Sequence, residues 1–217
     1  MNAYIFDLDG TLLDSMNVWE QIDVDFLSKR GFDVPEDYID AVGSLSFPEA
    51  AAYTIERFNL PDTVDDLLGE WNSMAVYAYA NTVPLKPNAL EYLTALKNRG
   101  ATLAIATSLP AALYEPVLRN HGIMELFDVV CSTDEVTHGK TRPDVFILAA
   151  QRLGVAPEMC VVFEDILQAI QSARRAGMTV YGVYDDSSSE HWEAIKKTAD
   201  GVIYDFKDAP IPEIPEL

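Results

Sequence analysis

Two carboxylates close a short apolar run near the start of the chain, in residues 4–11, which read Tyr-Ile-Phe-Asp-Leu-Asp-Gly-Thr. Asp7 and Asp9 are two residues apart, so on an extended strand both side chains can face one cavity. Gly10 allows a sharp turn after the pair, and Thr11 adds a hydroxyl and an amide at that turn. The segment could supply oxygen ligands at the end of a buried strand. An ordinary acidic turn is the simpler alternative.

A second pair of carboxylates, Glu164 and Asp165, follows the apolar run 161–163. If both runs are strands of one parallel sheet, four acids meet at its carboxyl edge, where open α/β sheets bind their ligands. Such acids repel one another unless a hard cation joins them. Mg²⁺ is the expected cation because it takes oxygen ligands and pairs with substrate phosphate. The alternative is that Glu164 and Asp165 only cap the following helix.

Two further segments could hold phosphate. Thr107 and Ser108 end an apolar run ahead of Pro110, and hydroxyls and free amides at a helix start suit phosphate oxygens. Lys140 lies between a predicted strand and a helix start at Pro143, where it would supply a local positive charge. Taken singly, the hydroxyls could be ordinary helix caps and the lysine a solvated loop residue.

The charge balance makes that lysine important. The chain has 15 Lys and Arg against 35 Asp and Glu, a formal net charge of −20, with no stretch that concentrates basic residues. Binding to a nucleic-acid backbone is therefore disfavoured. The same charge would repel a phosphorylated metabolite at long range, so a phosphate site needs its own cation.

The cysteines and the hydropathy indicate the cellular compartment in which we expect the protein. Cys131 and Cys160 lie in apolar runs without ligand spacing, which predicts buried thiols in a reducing compartment. The chain has no charged leader and no apolar run of about 18 residues. We therefore expect a soluble, cytoplasmic protein that binds no membrane.

The elements that must position these residues follow two patterns. From about residue 82, short β-branched runs alternate with helical patterns, as in βαβ units around a parallel sheet. Residues 15–81 contain no convincing strand and instead predict successive amphipathic helices. The sequence thus predicts an α/β core formed by residues 1–14 and 82–217, with helices on both faces of a Rossmann-like parallel sheet. An inserted α-helical cap would span residues 15–81. One further helix is expected to begin at Ser187, with Glu190 completing a capping box.

In this order and spacing, the motifs resemble those of the haloacid dehalogenase superfamily. Within it, the chain is similar to the phosphatase and β-phosphoglucomutase-like branch, which has a helical cap after the first motif. Residues 7–11 match the first motif, Thr107 with Ser108 the second, Lys140 the third, and residues 164–165 the fourth. The resemblance covers the chain to about Phe206 and implies a sheet with strand order 5-4-1-2-3.

The resemblance also implies roles for these residues. Asp7 would attack phosphorus to form an aspartyl-phosphate, and Asp9 would act as general acid and then as general base. Thr107, Ser108 and Lys140 would bind the phosphate of a small phosphorylated metabolite. Mg²⁺ would be ligated by the Asp7 carboxylate, the Asp9 backbone carbonyl and Asp165, with Glu164 adjacent or acting through water.

Departures from the family pattern leave alternatives open. The third motif often reads Lys-Pro-x-Pro-Asp, whereas residues 140–144 read Lys-Thr-Arg-Pro-Asp. β-Phosphoglucomutases carry a histidine where this chain has Trp19, and an arginine in the cap loop where it has Gly43 and Ser44. Transfer to water is therefore expected, with a sugar phosphomutase as the alternative and a non-catalytic binding module as a third. Trp19, Gly43 and Ser44 are the predicted specificity residues of the cap. We expect a monomer, with a dimer as the alternative.

Overall fold

The computed structural model of the chain describes residues 3–35, 37–43, 45 and 47–211. The strands are β1 (Ala3–Phe6), β2 (Thr102–Thr107), β3 (Val129–Ser132), β4 (Cys160–Glu164), β5 (Thr179–Val183) and β6 (Gly201–Ile203). The α-helices are α1 (Val18–Lys29), α2 (Tyr38–Gly43), α3 (Phe47–Phe58), α4 (Val64–Asn81), α5 (Ala89–Asn98), α6 (Ala111–Asn120), α7 (Asp144–Leu153), α8 (Leu167–Arg175) and α9 (Trp192–Thr198).

The strands form one parallel sheet in the order β3-β2-β1-β4-β5-β6. The predicted fold class, a Rossmann-like parallel sheet, is confirmed. The expected order 5-4-1-2-3 differs from the observed order in one respect. Read from the opposite edge it is 3-2-1-4-5, and β6 adds a sixth strand beyond β5.

The central strand β1 is buried on both sides because its apolar residues alternate between two covered faces. Ile5 packs in one apolar cluster with Val145 of α7 and Ile170 of α8. Phe6 points to the other face, where its ring stacks on Phe163 at 5.0 Å and meets the edge of Tyr92 of α5 at 6.2 Å. Helices therefore cover both faces of the sheet, as predicted.

The chain divides into two compact units, one of residues Met1–Met16 and Val83–Leu217 and the other of Asn17–Thr82. The second unit is helical and contains α1 to α4. Its longest helix, α4, starts at a capping box in which Thr63 and Asp66 each bond the other's backbone amide. Trp71 of α4 meets the ring of Phe26 of α1 at 5.6 Å, so aromatic contacts fill the interior between these helices.

One predicted helix start is wrong. Ser187 does not begin an α-helix, because residues Asp186–His191 form a 3₁₀ helix and α9 begins only at Trp192. Asp185 caps this 3₁₀ segment by accepting a hydrogen bond from the Ser187 amide at 2.9 Å. The capping residue is thus Asp185, two residues before the expected Ser187. The segment that it caps is a 3₁₀ helix, which is more tightly wound than an α-helix and precedes α9.

Two further expectations concern the cysteines and the membrane. Cys131 and Cys160 are both buried and free, and burial raises the pKa of Cys160 to about 11. The predicted burial of both thiols is confirmed, and Cys131 Sγ also accepts a hydrogen bond from Arg152 Nη1 at 3.4 Å. In the part of the chain that the structure describes, no helix combines the length and the apolar character that a membrane crossing requires.

Candidate active site

The strand register brings the two acidic segments together. Phe6 pairs with Phe163 of β4, and the Asp7 amide donates to the Phe163 carbonyl at 3.1 Å. Asp7 therefore lies beside Glu164, at the carboxyl ends of two adjacent central strands. Asp7, Glu164 and Asp165 are all buried, and each offers a carboxylate oxygen within 4.8 Å of the others. This cluster could hold a metal ion.

Lys140 enters this cluster from the loop before α7. Its Nζ contacts the Asp7 carboxylate and donates to Glu164 Oε2 at 2.8 Å. The loop is fixed by its own backbone, because the Arg142 amide donates to the Gly139 carbonyl at 3.0 Å. Arg175 of α8 also donates to the Thr141 carbonyl at 2.7 Å. Lys140 is thus a buried ammonium bridging two carboxylates, and not a solvated loop residue.

Both carboxylate oxygens of Glu164 already have donors. Oε2 accepts from Lys140, while Oε1 accepts from the amides of Asp165 at 3.1 Å and Ile166 at 3.0 Å. Glu164 therefore orients the lysine and closes the turn after β4. It can reach a metal only by sharing one of these oxygens.

Asp165 is held by the first acidic segment. Thr11 Oγ1 donates to Asp165 Oδ1 at 2.9 Å, and both residues are buried. Gly10 has a φ of +75°, and a Cβ at this position would lie 2.4 Å from Asp165 Oδ2. Only glycine combines that backbone with that close approach. The turn after Asp9 is shaped to admit the Asp165 carboxylate.

The cluster carries more negative charge than the lysine can balance. Burial and the neighbouring Glu164 together raise the pKa of Asp7 to about 8, although Lys140 opposes them. Burial, Glu164 and Asp7 likewise raise the pKa of Asp165. Burial alone would lower the pKa of Lys140, but Asp7 and Glu164 raise it above its usual value. Three buried carboxylates beside one ammonium fit a bound divalent cation.

Asp9 and the two hydroxyl residues occupy different positions. Asp9 is partly exposed and accepts a hydrogen bond from Ser15 Oγ at 2.6 Å. Thr107 ends β2, next to β1, and is buried with its Oγ1 accepting from the Leu109 amide at 3.0 Å. Ser108 is exposed. The structure therefore places Thr107 at the same edge of the sheet as Asp7.

The predicted cap residues lie in the helical unit. Trp19 is in the first turn of α1, is 39% exposed, and meets the edge of the Phe47 ring at 5.2 Å. Gly43 is the last residue of α2. Ser44 lies outside the described residues, so its assignment stays a prediction.

The motifs missed one buried ion pair at the same edge of the core. Lys86 Nζ donates to Asp185 Oδ2 at 2.6 Å, just beyond the end of β5, and lies 3.8 Å from Asp14 Oδ1. The backbone around it joins two distant segments, because the Lys86 amide donates to the Leu12 carbonyl at 2.9 Å. The Asp14 amide donates to the Pro84 carbonyl at 3.0 Å. The ion pair and these backbone hydrogen bonds join residues 12–14, where the chain leaves the core, to residues 84–86, where it returns.

Replacing Lys86 with methionine is expected to lower the free energy of unfolding by about 3 kcal/mol, because it leaves the buried Asp185 carboxylate without its cation. Chemical denaturation measures the change. Lys196→Met, which removes an exposed pair with Glu193, is the matched control and should cost less than about 1 kcal/mol. Equal losses in both variants would contradict a special role for Lys86.

The pair also has a predictable pH dependence. Burial alone would raise the pKa of Asp185, but hydrogen bonds from Lys86 and Ser187 lower it below its usual value. A carboxyl with a lowered folded pKa stabilises the protein above its unfolded pKa and loses that contribution as the pH falls through the folded value. The difference between the native protein and Lys86→Met should therefore shrink in acid.

Comparisons with known proteins agree with this fold. A family model of haloacid dehalogenase-like hydrolases matches residues 4–183. A phosphorylated carbohydrates phosphatase of Thermotoga maritima is 28% identical over 84% of this chain and 85% of its own length. A fructose-1-phosphate phosphatase of Escherichia coli is 33% identical over 82% of this chain and 94% of its own. The crystal structure of a Thermotoga maritima protein provisionally named a β-phosphoglucomutase superposes with a TM-score of 0.83. It is 26% identical and covers 94% of both chains.

The chain is an open α/β sheet with buried acids and a lysine at its carboxyl edge, the edge at which such sheets bind their ligands. The chain belongs to the haloacid dehalogenase-like hydrolases. The resemblance predicted from the motifs is confirmed, and so is the prediction that the chain is a hydrolase.

Proposed function

We propose that the chain is a Mg²⁺-dependent phosphatase that hydrolyses a small-molecule phosphate monoester through an aspartyl-phosphate on Asp7. The observation that carries the proposal is the position of Lys140, which contacts Asp7 and Glu164 in a buried cluster completed by Asp165. A nucleophilic carboxylate attacking phosphorus needs nearby positive charge, since the phosphoryl oxygens are themselves negative.

In this mechanism the Asp7 carboxylate attacks phosphorus in line, and the bond to the leaving oxygen breaks. Asp9 gives a proton to the leaving alkoxide and then takes one from the water that cleaves the aspartyl-phosphate. Ser15 Oγ donates to Asp9 Oδ1 at 2.6 Å and orients the carboxylate for this exchange. Lys140 restrains Asp7, and with Thr107 and Ser108 it would hold the phosphoryl oxygens.

The donor set fits a magnesium ion. The oxygens of Asp7 and Asp165, with Glu164 adjacent and the Asp9 carbonyl as a further ligand, are the hard ligands that Mg²⁺ takes. When bound, Mg²⁺ supplies positive charge that offsets the buried carboxylates and the phosphoryl oxygens. The Thr11 hydroxyl orients Asp165 toward this role.

Water is the proposed acceptor of the phosphoryl group. Trp19 offers no acid or base at the position where β-phosphoglucomutases carry a histidine. Two relatives named for phosphatase activity on phosphorylated carbohydrates and fructose 1-phosphate support sugar phosphates as the first substrates to test. The phosphomutase remains the second candidate because a relative in structure bears that name.

Metal removal should abolish the activity. After treatment with EDTA, hydrolysis of an aryl phosphate and of a panel of sugar, sugar-alcohol and nucleoside phosphates is expected to fall by at least about 100-fold. Added Mg²⁺ should restore it, whereas Ca²⁺ should restore far less because it favours longer bonds and more ligands. Release of inorganic phosphate measures each reaction.

Two outcomes would count against the proposal. Full turnover in EDTA would exclude the metal-dependent mechanism. Interconversion of glucose phosphates that requires a sugar bisphosphate, without net release of phosphate, would replace the phosphatase by the mutase.

A further inference from the structure

An exposed isoleucine lies at the edge of the acidic cluster. Ile166 directly follows Asp165, and it is 43% exposed whereas Asp165 is 1% exposed. The chain therefore passes from the buried cluster to solvent within one peptide unit. Single apolar residues are ordinary on protein surfaces. Two further features distinguish Ile166 from such residues.

The first feature is the position of Ile166 in helix α8. It is the N-cap residue of α8, has an extended backbone, and makes no side-chain hydrogen bond to the first amides of the helix. Ser, Thr, Asp and Asn are strongly preferred at an N-cap because their side-chain oxygens accept such bonds, and isoleucine is among the least favoured residues there. An isoleucine at this position therefore makes α8 less stable than a serine would.

The second feature is that Ile166 does not pack into the core. The apolar cluster on this face of the sheet includes Leu167, Ala169 and Ile170 from the start of α8, but Ile166 is not among the described residues of that cluster. Its side chain thus adds little to the burial that stabilises α8. Neither capping nor core packing explains an apolar side chain at this position.

The backbone holds Ile166 close to the groups proposed to act on phosphate. Its amide donates to Glu164 Oε1 at 3.0 Å, and Glu164 Oε2 accepts from Lys140 at 2.8 Å. One carboxylate thus separates the Ile166 amide from the Lys140 ammonium. The preceding residue, Asp165, belongs to the acidic cluster that could hold a metal ion. Ile166 therefore lies where this cluster meets solvent.

We propose that Ile166 contacts the leaving group of the phosphate ester and favours esters of neutral alcohols that have an apolar surface close to the phosphate. Removal of such a surface from water against the isoleucine side chain stabilises the complex. The net charge of −20 opposes a second anionic group in the same place. The contact rests on the proposed function, because Ile166 selects the substrates of that same site.

Two pairs of probes measure this selection. Butylphosphonate and 3-hydroxypropylphosphonate have chains of equal length that end in a methyl or a hydroxyl group, and their P–C bonds resist hydrolysis. In calorimetric titrations of the full chain with Mg²⁺, butylphosphonate should bind at least about threefold more tightly. Butyl phosphate and 3-hydroxypropyl phosphate are the corresponding esters. The kcat/KM from phosphate release should favour butyl phosphate by a similar factor.

Ile166→Ser separates substrate selection from stability. It should remove the preference for both butyl probes, because the apolar contact is lost. It should also raise the unfolding temperature by about 2–4 °C, because serine can cap α8. A side chain with only a structural role would not show this combination of lost selectivity and gained stability. Ile166→Val retains an apolar, branched side chain and should keep the preference.

Met159→Ser is the matched control. Met159 is 44% exposed and ends the 3₁₀ segment Pro157–Met159 just before β4, so it lies at the opposite edge of the sheet from Ile166. Its replacement should leave the preference of both probe pairs unchanged. If Ile166→Ser does not fold, Ile166→Asn repeats the test with a second capping side chain.

Four results would overturn the contact: no binding of either phosphonate, equal affinity of the native chain for both, an unchanged preference in Ile166→Ser, or an equal loss of preference in Met159→Ser. Tighter binding of butylphosphonate that depends on Ile166, without hydrolysis of any ester, would exclude the proposed phosphatase and support the contact. Hydrolysis of both esters without a preference would exclude the contact and leave the phosphatase.

Discussion

Asp7→Asn is expected to reduce hydrolysis of an aryl phosphate by at least about 10⁴-fold, because the amide cannot attack phosphorus. The shape of the side chain is nearly unchanged, and Lys140 keeps Glu164 as a partner at 2.8 Å. The fold should therefore survive. The measurements are phosphate release under saturating Mg²⁺ and thermal unfolding of the same preparation.

The matched control is Asp65→Asn, which changes an exposed aspartate in the first turn of α4. It should retain the native rate. Rapid quenching of the native enzyme during turnover should show one phosphoryl group bound to the chain, and Asp7→Asn should show none. Turnover by Asp7→Asn near the native rate, with native unfolding behaviour, would exclude Asp7 as the nucleophile.

The parts of the fold and site that the sequence predicts are those encoded locally. Ala3–Phe6 is apolar throughout and ends in Asp7, so both the strand and the position of the acid can be read from adjacent residues. Parallel strands bring their carboxyl ends to one edge, so local patterns place Asp7 and Glu164 at the same edge of the sheet. That β1 and β4 are neighbours, which brings the two acids together, was implied only by the family resemblance.

Contacts between distant residues could not be predicted this way. Lys86 and Asp185 are 99 positions apart, and each alone looks like a solvated loop residue. Their pairing depends on the turn after β5 and on the return of the chain from the helical unit. The sequence did contain a weak local indication that Asp185 has a structural role. Asp is a frequent capping residue, and Asp185 lies two residues before Ser187, whose amide it accepts.

The different contacts of the two acids in the fourth motif also could not be predicted from the sequence. The sequence shows two adjacent acids, Glu164 and Asp165, without distinguishing them. The structure separates them: Glu164 accepts from Lys140 and two backbone amides, whereas Asp165 accepts from Thr11 and faces Gly10. Adjacent side chains on a strand end point in different directions, so their partners differ.

The second large effect is expected for Lys140→Met. Turnover should fall by at least about 10³-fold, because the phosphoryl oxygens and Asp7 lose their buried ammonium. In EDTA the free energy of unfolding should fall by about 3 kcal/mol, since the carboxylates of Asp7, Glu164 and Asp165 then lie together without the lysine. Phosphate release and denaturant unfolding measure the two effects.

Controls distinguish charge from geometry in this prediction. Lys29→Met removes an exposed lysine whose partner Glu70 is 3.8 Å away, and should change neither quantity measurably. Lys140→Arg retains a positive charge but not the compact ammonium, so it should recover more of the stability than of the turnover.

Magnesium provides the decisive measurement for Lys140→Met. A divalent cation that binds among the three carboxylates should raise the unfolding temperature of the native protein, and raise that of Lys140→Met more, because the variant has more uncompensated charge. If Mg²⁺ stabilises neither protein, the acidic cluster is not a metal site. If it stabilises both proteins equally, the lysine and the metal do not both neutralise the charge of Asp7, Glu164 and Asp165.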